Sequence, residues 1–305
     1  MYHIQVVGAG YAGSRIAAHF REKKQKVWAL THSGKRNAEF EALGITPIIA
    51  DLTKPDTLEG ILPAHFIVIC PAPGEKKDEE AYRKIYLEGI GNYLAAIRKN
   101  PKPNLIVYLS STGVYSDKKG EWVDETTPPE PDTEKGRILL EAEAQVLNSG
   151  FPSVIFRLAG IYGPGRNRLS RPSVARDDSP DRWLNHIHVD DIAGAMPVIF
   201  NKGQAGSLYL GVDGEPILQS EFNQWLADKN VILRAKPEES SRRSFARSFC
   251  SPRRGSLRMT SEEPGRTRPL GKRCSNAKLK ALGYQFKYPA YREGYEAIIK
   301  ETSSV

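Results

Sequence analysis

The first 160 residues carry short apolar runs that alternate with segments of helical periodicity. Runs such as IVI at 67–69 and LIV at 105–107 have no polar face, which is typical of parallel strands covered by helices on both sides. The apolar runs predict strands at 4–8, 26–30, 46–50, 65–70, 104–110 and 153–158. The segments between them predict helices at 12–22, 37–43, 56–62, 79–99 and 134–148. This alternation indicates an α/β fold built on a doubly wound parallel sheet.

The regular alternation ends near residue 163. A loop is expected at 163–181, followed by a strand at 186–189, a helix at 190–200, a strand at 207–212 and helices at 219–228 and 290–300. Residues 237–273 are rich in Ser, Arg, Pro and Gly, and we expect them to form a disordered basic insertion. The chain thus divides into a first domain at 1–160, on which 186–204 packs back, and a smaller C-terminal part at 161–305.

The net charge of +8 is concentrated in that insertion. Ten Lys or Arg and four Glu lie between 237 and 273, which accounts for +6 of the total. The remainder is nearly neutral, so no nucleic-acid partner is expected, and the insertion is interpreted as a solvated loop. The alternative is that the insertion binds nucleic acid or an anionic membrane surface. The end of this segment, 272–276, is expected to fold back on the cleft of the C-terminal part.

Several sequence features bear on the compartment. No apolar run approaches the ~20 residues of a membrane span, so no membrane partner is expected. The N-terminus enters a strand pattern without the features of a signal peptide. Cys70, Cys250 and Cys274 match neither a disulfide framework nor a zinc spacing. These features predict a cytoplasmic protein.

A glycine-rich turn follows the first predicted strand. Gly8 permits a tight turn, Gly10 allows a backbone to approach a pyrophosphate, and Gly13 allows the helix to pack on the strand. The helix that follows offers free N–H groups to phosphate, with Tyr11 and Ala12 in its first turn. The strand, turn, helix and next strand together predict a Rossmann-type dinucleotide site.

The end of the second strand bears on the choice of dinucleotide. An acidic residue there would bind the ribose 2′-hydroxyl of NAD, but 31–36 reads THSGKR and has no carboxylate. NADP(H) is therefore the preferred cofactor, with NAD(H) as the alternative. The candidate partners of a 2′-phosphate are the Thr31 and Ser33 hydroxyls and the side chains of Lys35 and Arg36. The two cations are equally compatible with a solvated loop.

The ends of the next two strands are expected to line the same dinucleotide. The residues concerned are Asp51, Leu52, Cys70, Pro71 and Ala72. Asp51 fits two roles, since it could bind the adenine amino group or cap the following turn.

Five motifs together carry a family resemblance. They are the glycine turn at 8–13, LSSTGVY at 109–115, DETTP at 124–128, RLAGIYGPG at 157–165 and HIHVDDIA at 186–193. In this order they resemble the extended short-chain dehydrogenase/reductase family, the branch that includes nucleotide-sugar epimerases and dehydratases. The resemblance covers residues 4–235 and 272–297. It implies a Rossmann-type domain with a small C-terminal substrate domain and a cleft over the nicotinamide.

The resemblance also implies roles for individual residues. Ser111 matches the catalytic serine, which hydrogen-bonds a substrate oxygen, and Thr112 beside it is a substrate candidate. Arg157, Ala159 and Gly160 would run past the nicotinamide ribose. Tyr162 and Arg166 would open the substrate loop, where Arg166, Arg168 and Arg171 could hold an anionic group or remain surface arginines.

The sequence departs from this family at one place. The family has Tyr and Lys four residues apart on a helix, but aligning on Glu143 puts Lys135 at the tyrosine position and Leu139 at the lysine position. The resemblance is therefore to atypical members. Lys135 or Arg137 could act near the nicotinamide, Lys135 as an acid or base, or both could be surface residues at a helix start.

The resulting expectation is an NAD(P)-dependent oxidoreductase or epimerase/dehydratase acting on a small polar substrate. The alternative is a dinucleotide-binding sensor or scaffold without catalysis. His186 and His188 share a strand face, but no third ligand is suitably spaced and the family uses no metal, so no metal site is expected. Helices 79–99 and 134–148 could form a homodimer face or pack on the sheet alone.

Overall fold

A seven-stranded parallel sheet forms the centre of the molecule. The structure is a computed structural model that describes residues 1–74, 76–169, 180–234 and 269–302. Its strands are β1 (His3–Val7), β2 (Lys26–Thr31), β3 (Thr46–Ile49), β4 (Phe66–Ile69), β5 (Leu105–Ser111), β6 (Trp122–Val123), β7 (Ser153–Leu158), β8 (Gly160–Tyr162), β9 (Trp183–Leu184), β10 (His186–His188), β11 (Leu208–Gly211), β12 (Ile217–Leu218) and β13 (Arg273–Cys274). The central sheet has the order β11-β7-β5-β4-β1-β2-β3.

In this order the direction in which the chain adds strands to the sheet reverses, and the switch point lies between β1 and β4. The chain runs outward from β1 through β2 to β3 and then crosses back to β4 on the other side of β1. In open α/β sheets a ligand crevice opens at such a switch point, beyond the carboxyl ends of the strands. The predicted Rossmann-type fold is therefore confirmed.

Helices cover both faces of the sheet. They are α1 (Tyr11–Glu22), α2 (Asn37–Ala42), α3 (Glu79–Arg83), α4 (Ile90–Ala96), α5 (Glu134–Leu147), α6 (Val189–Lys202), α7 (Gln219–Arg234), α8 (Ala277–Ala281) and α9 (Tyr291–Thr302). The stripes of α1 and α6 meet one face, where Ile16, Phe20 and Ile199 are buried. Tyr93 of α4 and Val146 of α5 are buried against the other face.

Three two-stranded pairs build the region beyond the carboxyl ends of the sheet. β8 pairs with β10, β12 with β9 and β13 with β6. Aromatic side chains fill the core of this region, where Tyr162 stacks on Tyr295 with 4.8 Å between ring centroids. The sheet itself takes its edge strand β11 from 208–211, so the predicted first domain, 1–160, does not contain the whole sheet.

One prediction about an element was wrong, and a second was wrong at one end of its range. The helix expected at 56–62 is a single 3₁₀ turn, Pro55–Leu58, because Glu59 already returns to extended backbone and Gly60 follows with φ +75°. The insertion predicted at 237–273 is ordered at its end. There the Leu270 N–H donates to the Asp181 carbonyl, and the Gly271 carbonyl accepts from the N–H groups of Lys118 and Gly120. The rest of that segment, up to residue 268, lies outside the described residues.

The helical stretch 79–99 is continuous but not uniform. A π-helical segment, Lys84–Gly89, separates α3 from α4, and such segments are frequent at functional sites. Over the described part of the chain, no helix combines the length and apolar character needed to cross a membrane.

Candidate functional site

The glycine turn has the geometry of a phosphate cradle. Gly8 has φ +92°, and a Cβ there would lie 2.6 Å from the Pro71 Cα. A Cβ on Gly13 would lie 2.4 Å from the Gly8 carbonyl oxygen. At Gly10, by contrast, a Cβ would meet no described atom within 4 Å. The turn is thus packed tightly from behind and open on the side of the α1 N-terminus, where first-turn N–H groups lack intrahelical acceptors.

The end of β4 closes the crevice at the switch point. The Cys70 N–H donates to the Val7 carbonyl, which carries the strand pairing up to the glycine turn. The Cys70 thiol donates to the Gly8 carbonyl at 3.2 Å. Desolvation raises the pKa of this thiol to about 12, so Cys70 supplies packing and no thiolate. Pro71 is buried and Ala72 is exposed beyond it.

Arg36 joins the loop after β2 to the glycine turn. Its guanidinium donates to the Ala9 carbonyl at 3.2 Å and to both carboxylate oxygens of Glu39, at 2.7 Å on one of them. The Glu39 hydrogen bonds hold the pKa of Arg36 above its ordinary value, so the side chain is a permanent cation. Lys35 is exposed.

The hydroxyl groups of this loop are partly engaged in hydrogen bonds within the loop. The Thr31 hydroxyl donates to the Ser33 carbonyl and accepts from the Ser33 N–H at 3.2 Å. Ser33 is half-buried. A cation next to a fixed loop, with no carboxylate at the strand end itself, is the arrangement on which the predicted 2′-phosphate site depends.

Asp51 is engaged in a local turn. One of its carboxylate oxygens accepts from the Thr53 N–H at 3.0 Å and the Thr53 hydroxyl at 2.8 Å. The capping role is therefore present, while adenine binding stays a prediction. Leu52 is buried and lies against Gly89 of the π-helical segment, where a Cβ would come within 3.0 Å of the Leu52 Cβ.

Ser111 ends β5, two strand positions from β1. Its Oγ accepts from the Gly113 N–H at 3.0 Å, which fixes the side chain while leaving its own O–H to donate elsewhere. Thr112 begins the 3₁₀ turn Thr112–Val114 and is only 8% exposed. Its expected contact with substrate is therefore not favoured, because the side chain has almost no free surface.

Arg157 is committed to a buried ion pair. Its guanidinium donates to Glu143 at 2.9 and 2.7 Å, and both side chains are at most 4% exposed. The Ser110 hydroxyl donates to the same carboxylate at 2.5 Å, and the Arg157 guanidinium lies 4.8 Å from the Tyr115 ring centroid. The expected contact of this side chain with the cofactor is thus replaced by a structural network beneath the site. Ala159 and Gly160 follow at the strand end, with Gly160 exposed.

The two residues expected in the substrate loop lie in different environments. Tyr162 is 3% exposed within the aromatic core of the C-terminal region, so it is not available to a substrate. Arg166 is exposed, and its guanidinium lies 5.5 Å from the Tyr11 ring centroid. The Tyr11 hydroxyl donates to the Pro164 carbonyl, which holds this loop over the start of α1. Arg168 is exposed, while Arg171 lies outside the described residues.

The comparisons with known proteins agree with this geometry. The sequence profile of the NAD dependent epimerase/dehydratase family matches residues 4–210. The protein YeeZ of Escherichia coli is 31% identical over 221 residues, which are 68% of this chain and 77% of YeeZ. This chain belongs to the NAD dependent epimerase/dehydratase family.

Solved structures extend the likeness over the whole chain. A Methylobacillus flagellatus protein assigned as an NAD-dependent epimerase/dehydratase is 30% identical, with 99% of each chain covered and a TM-score of 0.76. A UDP-glucose 4-epimerase of Thermus thermophilus, solved with NAD, is 19% identical with a TM-score of 0.73 and 99% of each chain covered. The second comparison concerns the fold alone.

The helix start of α5 differs from the pattern expected of the family. Thr133 caps the helix by accepting from the Gly136 N–H at 3.1 Å. The Lys135 ammonium lies 5.2 Å from the Tyr82 ring centroid, which pairs a lysine and a tyrosine from two different helices. Arg137 is exposed and bonded to Glu134. Leu139, at the family's lysine position, packs against the apolar cluster that includes Val114 and Ala159.

The two histidines of the 186–193 motif are buried. Desolvation lowers the pKa of His186 to about 3 and that of His188 to about 4, so both are neutral. The His188 Nδ1 accepts from the Asp190 N–H at 3.1 Å and caps α6. Among the described residues no group of three or more His, Cys, Asp or Glu is placed to hold a metal ion.

Sequence reasoning missed two candidate residues of the site. Tyr82 had no motif to mark it, and its closeness to Lys135 depends on the packing of α3 on α5. Lys272 directly precedes β13, and its ammonium donates to the Tyr115 carbonyl at 2.7 Å. The only signal for it was the expectation that 272–276 folds back on the cleft.

Proposed function

We propose that this protein is an NADP(H)-dependent oxidoreductase or epimerase acting on a small polar substrate. The observation that carries the proposal is the open space at Gly10, beside a helix N-terminus and at the switch point of the sheet. The turn is closely packed at Gly8 and Gly13, and Gly10 leaves room for a pyrophosphate to approach the backbone. The residues present fit a dinucleotide pyrophosphate, with Tyr11, Ala12 and Gly13 offering first-turn N–H groups.

The preference for the phosphorylated dinucleotide depends on Arg36. It is fixed over the glycine turn and needs only to exchange Glu39 for a 2′-phosphate. A fluorescence titration with NADPH and NADH tests this. NADPH should bind clearly more tightly, and Arg36→Leu should weaken NADPH while leaving NADH unchanged. Equal affinities for the two would remove the preference, and binding of neither would overturn the proposal.

The cofactor supplies hydride transfer when bound, and the chain's own residues place and polarise the substrate. The Ser111 O–H, fixed by the Gly113 N–H, is positioned to donate to a substrate oxygen beyond the end of β5. Lys135 occupies the family's tyrosine position and is the candidate to deliver or accept the proton, with Tyr82 holding its ammonium.

A screen of carbonyl substrates, followed by NADPH oxidation, tests these roles. Ser111→Ala and Lys135→Met should each lower kcat by about two orders of magnitude or more while NADPH binding is kept. Arg137→Met is the matched control, because Arg137 lies two residues further along α5, where its side chain is exposed and bonded to Glu134. Unchanged turnover in Lys135→Met would take Lys135 out of the mechanism.

One observation favours a non-catalytic sensor as the second candidate. Leu139 fills the lysine position and joins the apolar cluster of Val114, Ala159 and Leu210. A sensor needs binding without turnover, and apolar packing under the site serves that. Tight NADPH binding with no oxidation across the substrate panel would favour the sensor, while turnover that depends on Ser111 would exclude it. The predicted homodimer through 79–99 and 134–148 stays a prediction.

A further inference from the structure

Lys272 is held between two corners of the proposed cleft. On one side its ammonium donates to the carbonyl of Tyr115, which follows the 3₁₀ turn capped by Ser111. On the other side its backbone carbonyl accepts from the Asn185 side-chain amide at 2.8 Å. The Asn185 backbone carbonyl in turn accepts from the Gly160 N–H.

These two corners are the carboxyl ends of neighbouring strands. Ser111 of β5 is in register with Leu158 of β7, and Gly160 lies two residues further. Ligands of open α/β sheets bind beyond such strand ends. The segment that carries Lys272 therefore bridges the mouth of the same crevice that contains Ser111.

The ammonium of Lys272 has unused hydrogen-bonding capacity. A lysine carries three N–H donors, and the described part of the chain supplies one acceptor, the Tyr115 carbonyl, and no ion-pair partner. The side chain is half-buried. Desolvation and the nearby Arg182 lower the pKa of this ammonium, while Cys274, Asp132 and Asp117 offset part of that effect. A partly desolvated cation without a carboxylate partner is costly unless a ligand compensates it.

We propose that Lys272 is a specificity-determining residue that binds an oxyanion of the substrate, a carboxylate or a phosphate. The proposal rests on the function proposed above for the Ser111 cleft. An ammonium group has donors and no acceptor, so its ligand must accept, and the positive charge of the ammonium favours an anionic acceptor. The substrate class is therefore a small acid or a phosphate ester that carries the reacting oxygen at some distance from its charged group.

A purely structural role is the competing explanation. In that case Lys272 would only fasten β13 to the loop after β5, as the neighbouring Arg273 does by donating to the Gly120 carbonyl at 2.6 Å. The two explanations differ in one respect. A structural lysine keeps the same environment when anions are added, whereas a binding lysine is covered by them.

Competitive acetylation of the wild-type protein, read by mass spectrometry, separates the two explanations without any variant. The full chain is saturated with NADPH, so that its phosphate cradle is filled, and is then labelled alone, with inorganic phosphate or with malonate. Lys278 is the internal control, because its ammonium also lies beside an aromatic ring, that of Tyr209, and is exposed. We expect phosphate or malonate to lower the labelling of Lys272 several-fold and to leave Lys278 unchanged.

Each result of the labelling experiment either supports the proposal or overturns it. Protection by phosphate alone identifies a phosphate ester as the substrate class, and protection by malonate alone identifies a carboxylate. Unchanged labelling of Lys272, equal protection of both lysines, or a Lys272 that no arm labels would each overturn the proposal. Lys272→Met should weaken the protecting anion about tenfold, a loss of ~1.4 kcal/mol, while Lys278→Met should not.

The same samples separate this proposal from the proposed function. NADPH fluorescence measured on the wild type and on Lys272→Met reports on the glycine turn. Normal NADPH binding with no protection of Lys272 would overturn the role of Lys272 alone. Loss of NADPH binding in the wild type would instead overturn the function on which it rests.

Discussion

At the scale of single residues, Arg36 shows how a candidate phosphate-binding side chain is held in place before a phosphate binds. It is bonded to Glu39 and to the Ala9 carbonyl, so its position over the glycine turn is already fixed. The acid that fixes it also competes with the phosphate that it is proposed to bind. The affinity for NADPH therefore depends on the difference in free energy between the Arg36–Glu39 ion pair and the proposed ion pair of Arg36 with the 2′-phosphate.

Glu39→Gln tests this competition. The variant removes the competing charge and keeps a hydrogen-bond acceptor, so NADPH should bind several-fold more tightly while NADH is unchanged. Titrations at low and at high salt check the cause, because the gain should shrink as salt screens the exposed pair. A gain that is equal for both dinucleotides would place Arg36 away from the 2′-phosphate.

Some side chains could be placed from the sequence and others could not. Gly8, Gly10 and Gly13 carry a spacing whose geometry the structure reproduces, because that turn leaves little freedom. Arg157 could not be assigned, since its acceptor Glu143 lies on a helix whose packing no local pattern reveals. The burial of Tyr162 likewise could not be predicted, because the ring on which it stacks, that of Tyr295, is distant in the chain.

At the scale of elements, the buried pair of Glu143 and Arg157 fastens α5 to β7. Glu143→Gln leaves a buried guanidinium without its charge partner and should destabilise the fold by about 3–5 kcal/mol. The double variant Glu143→Gln with Arg157→Met removes both charges and should recover part of that loss. Urea unfolding of the three proteins measures this, and a double variant no more stable than the single one would contradict it.

The seven strands of the central sheet were all predicted, because each is an apolar run long enough to stand out. The strands of the three two-stranded pairs were mostly missed. β6, β9, β12 and β13 are two residues long, and a pairing such as β13 with β6 joins positions about 150 residues apart. Such strands exist only because tertiary contacts hold them. The same contacts order residues 269–273, which the composition had placed in a disordered insertion.

At the scale of the whole molecule, buried titratable groups make stability depend on pH in two opposing ways. His186 and His188 are neutral in the fold with pKa values of about 3 and 4, whereas in the unfolded chain they bind protons below pH ~6.5. Acid therefore favours unfolding through these groups. Burial raises the pKa of Asp213, which has the reverse effect, because the fold then holds a proton that the unfolded chain releases.

Variants at these two positions should respond to acid in opposite directions. His186→Gln should reduce the stability lost between pH 7 and pH 5 by about 2 kcal/mol, since one proton contributes ~1.4 kcal/mol per pH unit below the unfolded pKa. Asp213→Asn should instead increase that loss. Denaturant unfolding at the two pH values measures both, and parallel responses of the two variants would contradict the assignment.

The most direct test of the central claim, that the glycine turn binds a dinucleotide, is calorimetric titration of Gly10→Val with NADPH beside the wild type. A Cβ at Gly10 would meet no described atom within 4 Å, so the variant should unfold close to the wild-type temperature. Its β-carbon would occupy the space through which a pyrophosphate approaches, so NADPH binding should be lost. Equal NADPH affinity of the two proteins would contradict the claim, because it would show that the dinucleotide does not lie on this turn.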